Sequence, residues 1–120
     1  MNLDDEIERN VAAALAEDVG TGDLTAQLTP PQKPARASVI CRSAATLAGR
    51  PWFDAVFRHI DAGVRIDWQA AEGSRVAPGT TLCQLSGSAR SLLTGERTAL
   101  NFLQTLSAVA TVTRTYVDAV

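Results

Sequence analysis

Thr94, Arg97, Asn101 and then Gln104 or Thr105 recur at three- and four-residue spacing through a segment that is otherwise mostly core-forming. On an α-helix that spacing puts them along one side. Within the stripe, arginine brings the most specific chemistry: a planar, permanently charged fork suited to pairing with a carboxylate. Asn101 stands one turn away, where it could support an anion held by Arg97. Glu96 is Arg97's neighbour in the chain, but consecutive helical side chains diverge by roughly 100°, so it is poorly placed to neutralise the arginine. Periodicity leaves two readings open, a solvent-facing side or a grip for an outside anion.

Other reactive residue types are sparse. The run Glu17-Asp18-Val19-Gly20-Thr21-Gly22-Asp23-Leu24-Thr25 sets two glycines among carboxylates but lacks the Gly-Lys-Ser/Thr ending of a phosphate loop. It reads as a structural turn, with Gly20 a helix C-cap. His59 is the only histidine and lies beside an apolar stripe with no second ligand or nucleophile near it in sequence, so a structural or surface role is expected. Cys41 and Cys83 are far apart and outside any CxxC pair, which suggests neither a disulfide framework nor a zinc site and suits a reducing cytoplasm. No metal ligand set is expected in this chain. The 11 basic and 13 acidic residues are scattered, with a net charge of −2, and ask for no nucleic-acid or acidic-membrane partner. Residues 1–10 carry four acids and one arginine, unlike a signal peptide, and no apolar run is long enough to span a bilayer.

The elements that must position these residues follow from period and punctuation. A chain of 120 residues with 46% hydrophobic content suits one domain, residues 1–120. Leu3, Ile7, Val11, Ala14 and Leu15 predict an amphipathic helix over 3–18, with Asp4, Asp5 and Glu6 at its positive end. After the prolines at 30, 31 and 34, alternation predicts a strand with Ala35, Ala37, Val39 and Cys41 on its apolar face. Pro51 opens a short helix whose stripe is Trp52, Phe53, Val56, Phe57 and Ile60. Val64, Ile66, Trp68 and Ala70 predict a second strand, closed by a turn at Glu72-Gly73, and a turn-rich passage leads to a third through Leu85. From Ser91 a long helical region runs onward, interrupted near Ser107-Ala108 and resuming through Val112, Tyr116 and Val117: two consecutive helices or one kinked helix. The small residues Ser107, Ala108, Ala110 and Thr111 suggest a packing surface for a further segment or a second subunit. The expected class is α+β, a small mostly antiparallel sheet with flanking helices. Because Tyr116 to Val120 still follow a helical pattern, the last helix, about 108–120, is expected to lead into a larger protein.

The stretch Leu92-Leu93-Thr94-Gly95-Glu96-Arg97-Thr98-Ala99-Leu100-Asn101-Phe102-Leu103-Gln104-Thr105-Leu106-Ser107, with Ala110 to Arg114 and Tyr116 to Val120, closely resembles the amino-terminal domain of quinolinate phosphoribosyltransferases, the carboxylating nicotinate-nucleotide pyrophosphorylases. So does Ala14 to Thr25, with Glu72-Gly73 and Val76 to Gly79 between the two stretches. The resemblance implies an α/β-hammerhead-like domain preceding an open α/β barrel that this chain lacks. It implies an enzyme, a pentosyltransferase, that joins quinolinate to 5-phosphoribosyl-1-pyrophosphate in NAD biosynthesis, giving nicotinate mononucleotide, carbon dioxide and pyrophosphate. Magnesium is expected to assist in the full-length enzyme, with none bound by this chain. It also implies a homodimer in which Arg97 reaches the partner's site and binds a quinolinate carboxylate, so the anion grip becomes the expected role of the stripe. No catalytic residue is expected in residues 1–120, and the chain by itself is expected to be inactive. At Ser107-Ala108-Val109 the sequence departs from the family's common Ser-Gly-Ile, which leaves the kink between the last helices open.

Two other readings stand beside this one. A phosphoribosyltransferase of the same architecture acting on nicotinate or another aromatic acid would use the same arginine. A non-catalytic hammerhead-type binding module would need a modifiable lysine at a hairpin tip, whereas Lys33, the only lysine, lies in the proline-rich connection.

Overall fold

The acidic first turn and the apolar spacing at the start of the chain do form a helix. In the computed structural model, which describes residues 2–22, 30 and 32–119, α1 spans Leu3–Gly22. Asp4, Asp5 and Glu6 occupy its first turn, and Ile7 and Val11 are buried while Leu3 stays in solvent. Gly20 does not cap it: the helix continues through Gly22. Glycine inside a helix costs about 1 kcal/mol against alanine, and here α1 is held from outside by packing on two other helices.

Two antiparallel sheets follow. In the first, β1 (Pro34–Ile40), β5 (Thr81–Ser88) and β3 (Arg65–Trp68) lie in the order β1-β5-β3. Its register sets Val39 and Trp68 on either side of Cys83, and Ala37 and Ile66 on either side of Leu85. Arg36, Ser38, Arg65, Asp67 and Gln84 are turned the other way and exposed. Alternation therefore located β1 and β3, although Ala37, on the predicted apolar face, is exposed. The third predicted strand extends beyond Leu85 to Ser88, where Pro34 and Ala35 of β1 pair with Ser88 and Gly87, and Gly87, at φ 157, runs close to Val64, where a Cβ would meet the Val64 Cα at 3.2 Å. The second sheet is a two-residue ladder, β2 (Ala45–Thr46) with β4 (Arg75–Val76), that no period announces.

The helix α2 (Arg50–Ile60) carries the aromatic mass of the core. Phe53, Val56 and Phe57 are buried, and the Phe53 ring lies 5.4 Å from Phe57 and 5.1 Å from Trp68, centroid to centroid. Trp52 is half-buried. The α2 N-terminus is finished by a distant residue. Glu72 accepts the Gly49 N–H at 2.9 Å and the Arg50 N–H at 3.1 Å, a carboxylate where the helix dipole is positive. Gly49 itself sits at φ 107 and approaches the last helix so closely that a Cβ would lie 3.3 Å from the Phe102 carbonyl oxygen.

The last element, α3 (Ala89–Ala119), is one continuous helix rather than two. Alanine at 108 favours helix where glycine would loosen it. Two hydroxyls of this region reach out of the helix: Ser107 Oγ accepts the Ala48 N–H and donates to the Ala48 carbonyl, both at 3.0 Å. Thr111 Oγ1 accepts the Thr46 N–H at 2.9 Å and donates to the Ser107 carbonyl at 2.7 Å. The small residues expected to receive another segment are thus divided. Ser107 and Thr111 grip the chain's own β2 and the residues after it, while Ala108 is exposed.

Candidate functional site on helix α3

The segment from Gly95 to Gln104 has two unlike sides. Gly95 is buried against α2, where a Cβ would come within 2.7 Å of Phe57 Cε1 and 2.9 Å of Ile60 Cδ1. Ala99 is fully buried and Leu103 nearly so. Thr98 is only 1% exposed, and its hydroxyl donates to Asp18 Oδ2 at 2.6 Å. Glu96, Arg97, Asn101, Gln104 and Thr105 all face solvent, and Thr94 is half-buried. The polar stripe exists as spaced, with Leu93 exposed at one end and Val109 and Val112 at the other.

Neither the Arg97 nor the Asn101 side chain makes a hydrogen bond or ion pair among the described residues. Glu96, one residue away, leaves Arg97 unpaired, as the divergence of adjacent helical side chains requires. A guanidinium with no internal partner keeps its full hydrogen-bonding capacity for an anion from outside. Asn101 shares its side of the helix, but no contact links the two side chains.

The structure joins the two stretches that resemblance singled out. Asp18, from the first, meets Thr98, from the second, across 80 residues of sequence. Glu17 to Gly22, read as part of a turn, lie within α1, and Asp23 to Thr25 lie outside the described residues.

His59 has a surface partner rather than a catalytic one. Glu8 of α1 accepts a hydrogen bond from Arg58 Nη2 at 2.8 Å and pairs with His59 Nε2, tying α1 to α2. The Arg58 hydrogen bond, and then that of His59, hold the Glu8 carboxyl below the usual range. Cys83 is buried between β1 and β3, and burial pushes its thiol up to about 12, so it is no nucleophile. Asp54, half-buried beneath Trp68, is raised by desolvation against the opposing hydrogen bond from Trp68 Nε1 at 2.7 Å. Among the described residues no three His, Cys, Asp or Glu side chains are grouped so as to hold a metal ion. Sequence reasoning also passed over a shallow groove between α3 and the Gly49 and Glu72-Gly73 loops, lined in part by Trp52, Leu106, Val109 and Arg114.

Fold and stripe together define a small antiparallel α+β domain that presents, from the side of α3, an arginine unpaired among the described residues. The profile of the family described as "Quinolinate phosphoribosyl transferase, N-terminal domain" matches residues 23–107. The chain belongs to that family. It is 38% identical over 106 residues to a "Probable nicotinate-nucleotide pyrophosphorylase" (carboxylating) of Synechocystis, covering 88% of this chain and 36% of the relative. An Arabidopsis thaliana nicotinate-nucleotide pyrophosphorylase (carboxylating), described as chloroplastic, is 33% identical over 116 residues, covering 95% of this chain and 33% of the relative. Among solved structures, the nicotinate-nucleotide pyrophosphorylase of Francisella tularensis superposes with a TM-score of 0.91 at 38% identity, covering 96% of this chain and 41% of that one. NadC from Streptococcus pyogenes superposes at 0.87 with 39% identity, covering 95% of this chain and 42% of that one. The chain therefore spans about a third of the length of these curated relatives. Among the described residues no helix is long and apolar enough to cross a membrane.

Proposed function

We propose that residues 1–120 act as the substrate-gripping and dimer-forming domain of a quinolinate phosphoribosyltransferase. The complete enzyme makes nicotinate mononucleotide, carbon dioxide and pyrophosphate from quinolinate and 5-phosphoribosyl-1-pyrophosphate. Family membership supports the reaction class, and the observation that carries the role of this domain is Arg97, exposed and unpaired within the matched segment. Arg97 binds a quinolinate carboxylate in the partner subunit's site, with Asn101 in support. Its contribution is electrostatic orientation of a dianion, not proton transfer.

A single exposed ion pair contributes only about 0 to 1 kcal/mol in water. Useful affinity therefore needs the rest of the site, on a barrel in the remaining two thirds of the enzyme, and residues 1–120 alone have no turnover. Magnesium, when bound to the complete enzyme, assists the departing pyrophosphate. The free cysteines and the absence of a membrane-crossing helix among the described residues support a cytoplasmic setting.

The test is the activity of the complete transferase containing residues 1–120, with Arg97→Ala beside it and nicotinate as the alternative acceptor. Consumption of quinolinate with a raised KM in the variant is expected. A preference for nicotinate would keep the fold and site but transfer the substrate claim to the sister reaction. An unchanged quinolinate KM in Arg97→Ala would remove Arg97 from the site.

A further inference from the structure

We propose that Asp18 and Thr98 are positioning residues for Arg97, their hydrogen bond setting the register of the α3 turn that carries the guanidinium; this rests on the substrate-binding reading of Arg97. The buried side of α3 is otherwise apolar around this turn: Gly95 against Phe57 and Ile60, then Ala99 and Leu103. Such contacts fix how near two helices lie, but dispersion and burial are non-directional and resist sliding or rotation weakly. A hydrogen bond is directional, and this one is charge-assisted and short, from a hydroxyl with almost no access to water. It joins the side of α1 to the residue next to Arg97, so rotation or axial slip of α3 would break it before Arg97 moved far. Because the hydroxyl is buried, losing its partner would also leave an unsatisfied polar group, which steepens the cost of any slip.

Position matters more for Arg97 than for an ordinary surface residue. A displacement of about 1 Å in a substrate-holding group can cost about a hundredfold in rate. Sites of this kind depend on neighbours that lock the functional side chain's backbone. Gly95 supplies that lock toward α2 and Thr98, through Asp18, supplies it toward α1, both from the buried side of one helical turn.

The experiment compares Thr98→Val, Thr98→Ser, Asp18→Ala, Arg97→Ala and the double variant Thr98→Val/Arg97→Ala in the complete transferase. Thr98→Val keeps the volume and removes the hydroxyl; it is expected to raise the quinolinate KM about tenfold while leaving the 5-phosphoribosyl-1-pyrophosphate KM within about twofold. Thr98→Ser should restore the quinolinate KM, and Thr98→Val should add nothing further once Arg97 is alanine. A thermal unfolding midpoint that falls while both KM values hold would show a merely structural bond and overturn the proposal. So would an additive effect in the double variant. Should Thr98→Val fail to fold, Asp18→Ala, which removes the acceptor, takes its place: a selective rise in quinolinate KM supports the proposal, and an unchanged one overturns it. If Arg97→Ala raises the quinolinate KM and neither Thr98→Val nor Asp18→Ala does, positioning fails while the role of Arg97 stands. If Arg97→Ala has no effect, the substrate-binding reading falls first, and the inference with it.

Discussion

The two sides of α3 between Gly95 and Gln104 obey different rules although they alternate along one strip of sequence. Inward positions are selected by space: nothing larger than glycine fits at 95 without moving Phe57, and Ala99 and Leu103 fill what remains. Outward positions are free of that constraint, and there stand an arginine and an asparagine whose side chains have no partner among the described residues. The contrast teaches that stability and the anion grip proposed for Arg97 fall on neighbouring residues and can be separated by substitution. Thr98 is the exception, an inward residue that is polar and answers to Asp18.

Substitutions should break the contrast most strongly from the inward side. Leu103→Ala is expected to cost about 2 to 5 kcal/mol through the cavity left in the core, measured by urea unfolding. Gly95→Val should cost about 1 to 3 kcal/mol by overpacking, and a compensating Phe57→Leu should recover part of it. Recovery would identify the α2 contact as the cause; no recovery would point to the α3 backbone itself. Ser107→Ala removes both partners of the Ala48 backbone, and a loss of about 1 to 3 kcal/mol is expected. From the outward side, Arg97→Ala should leave stability within about 0.5 kcal/mol while binding changes. A large stability loss there would erase the distinction between the two sides.

The smallest effect is a dependence on pH at the α1–α2 contact. The folded Glu8 carboxyl lies below its ordinary value of 4.5, so its contribution is present above that value and lost as pH falls through the folded one. Asp54, raised by burial, acts in the opposite sense, its penalty relieved as pH falls through its raised value. Glu8→Gln should therefore flatten the acid limb of the stability profile, and a limb of unchanged steepness would assign it to other carboxylates.

Much of the frame was legible in the residues. The apolar stripe of α2, the alternation of β3 and the outward run of Arg97, Asn101 and Gln104 are local periods that survive folding unchanged. Gly20 misled because an isolated glycine signals a helix end, whereas packing on two helices carried α1 past it. Ser107-Ala108 misled in the same way: a small polar residue there usually loosens a helix, but the hydroxyls of Ser107 and Thr111 hold β2 and the chain after it.

By itself, then, the sequence determined which residues turn inward and outward on each long element, because side-chain period is set within a few residues. It also determined the family, through two stretches of specific wording. Only the tertiary structure decided that Glu72 would cap α2, that β2 and β4 would pair, that α3 would run unbroken, and that Asp18 would reach Thr98. Each of these depends on a partner distant in the chain, and a bond between residues so far apart leaves no mark on the spacing of either one.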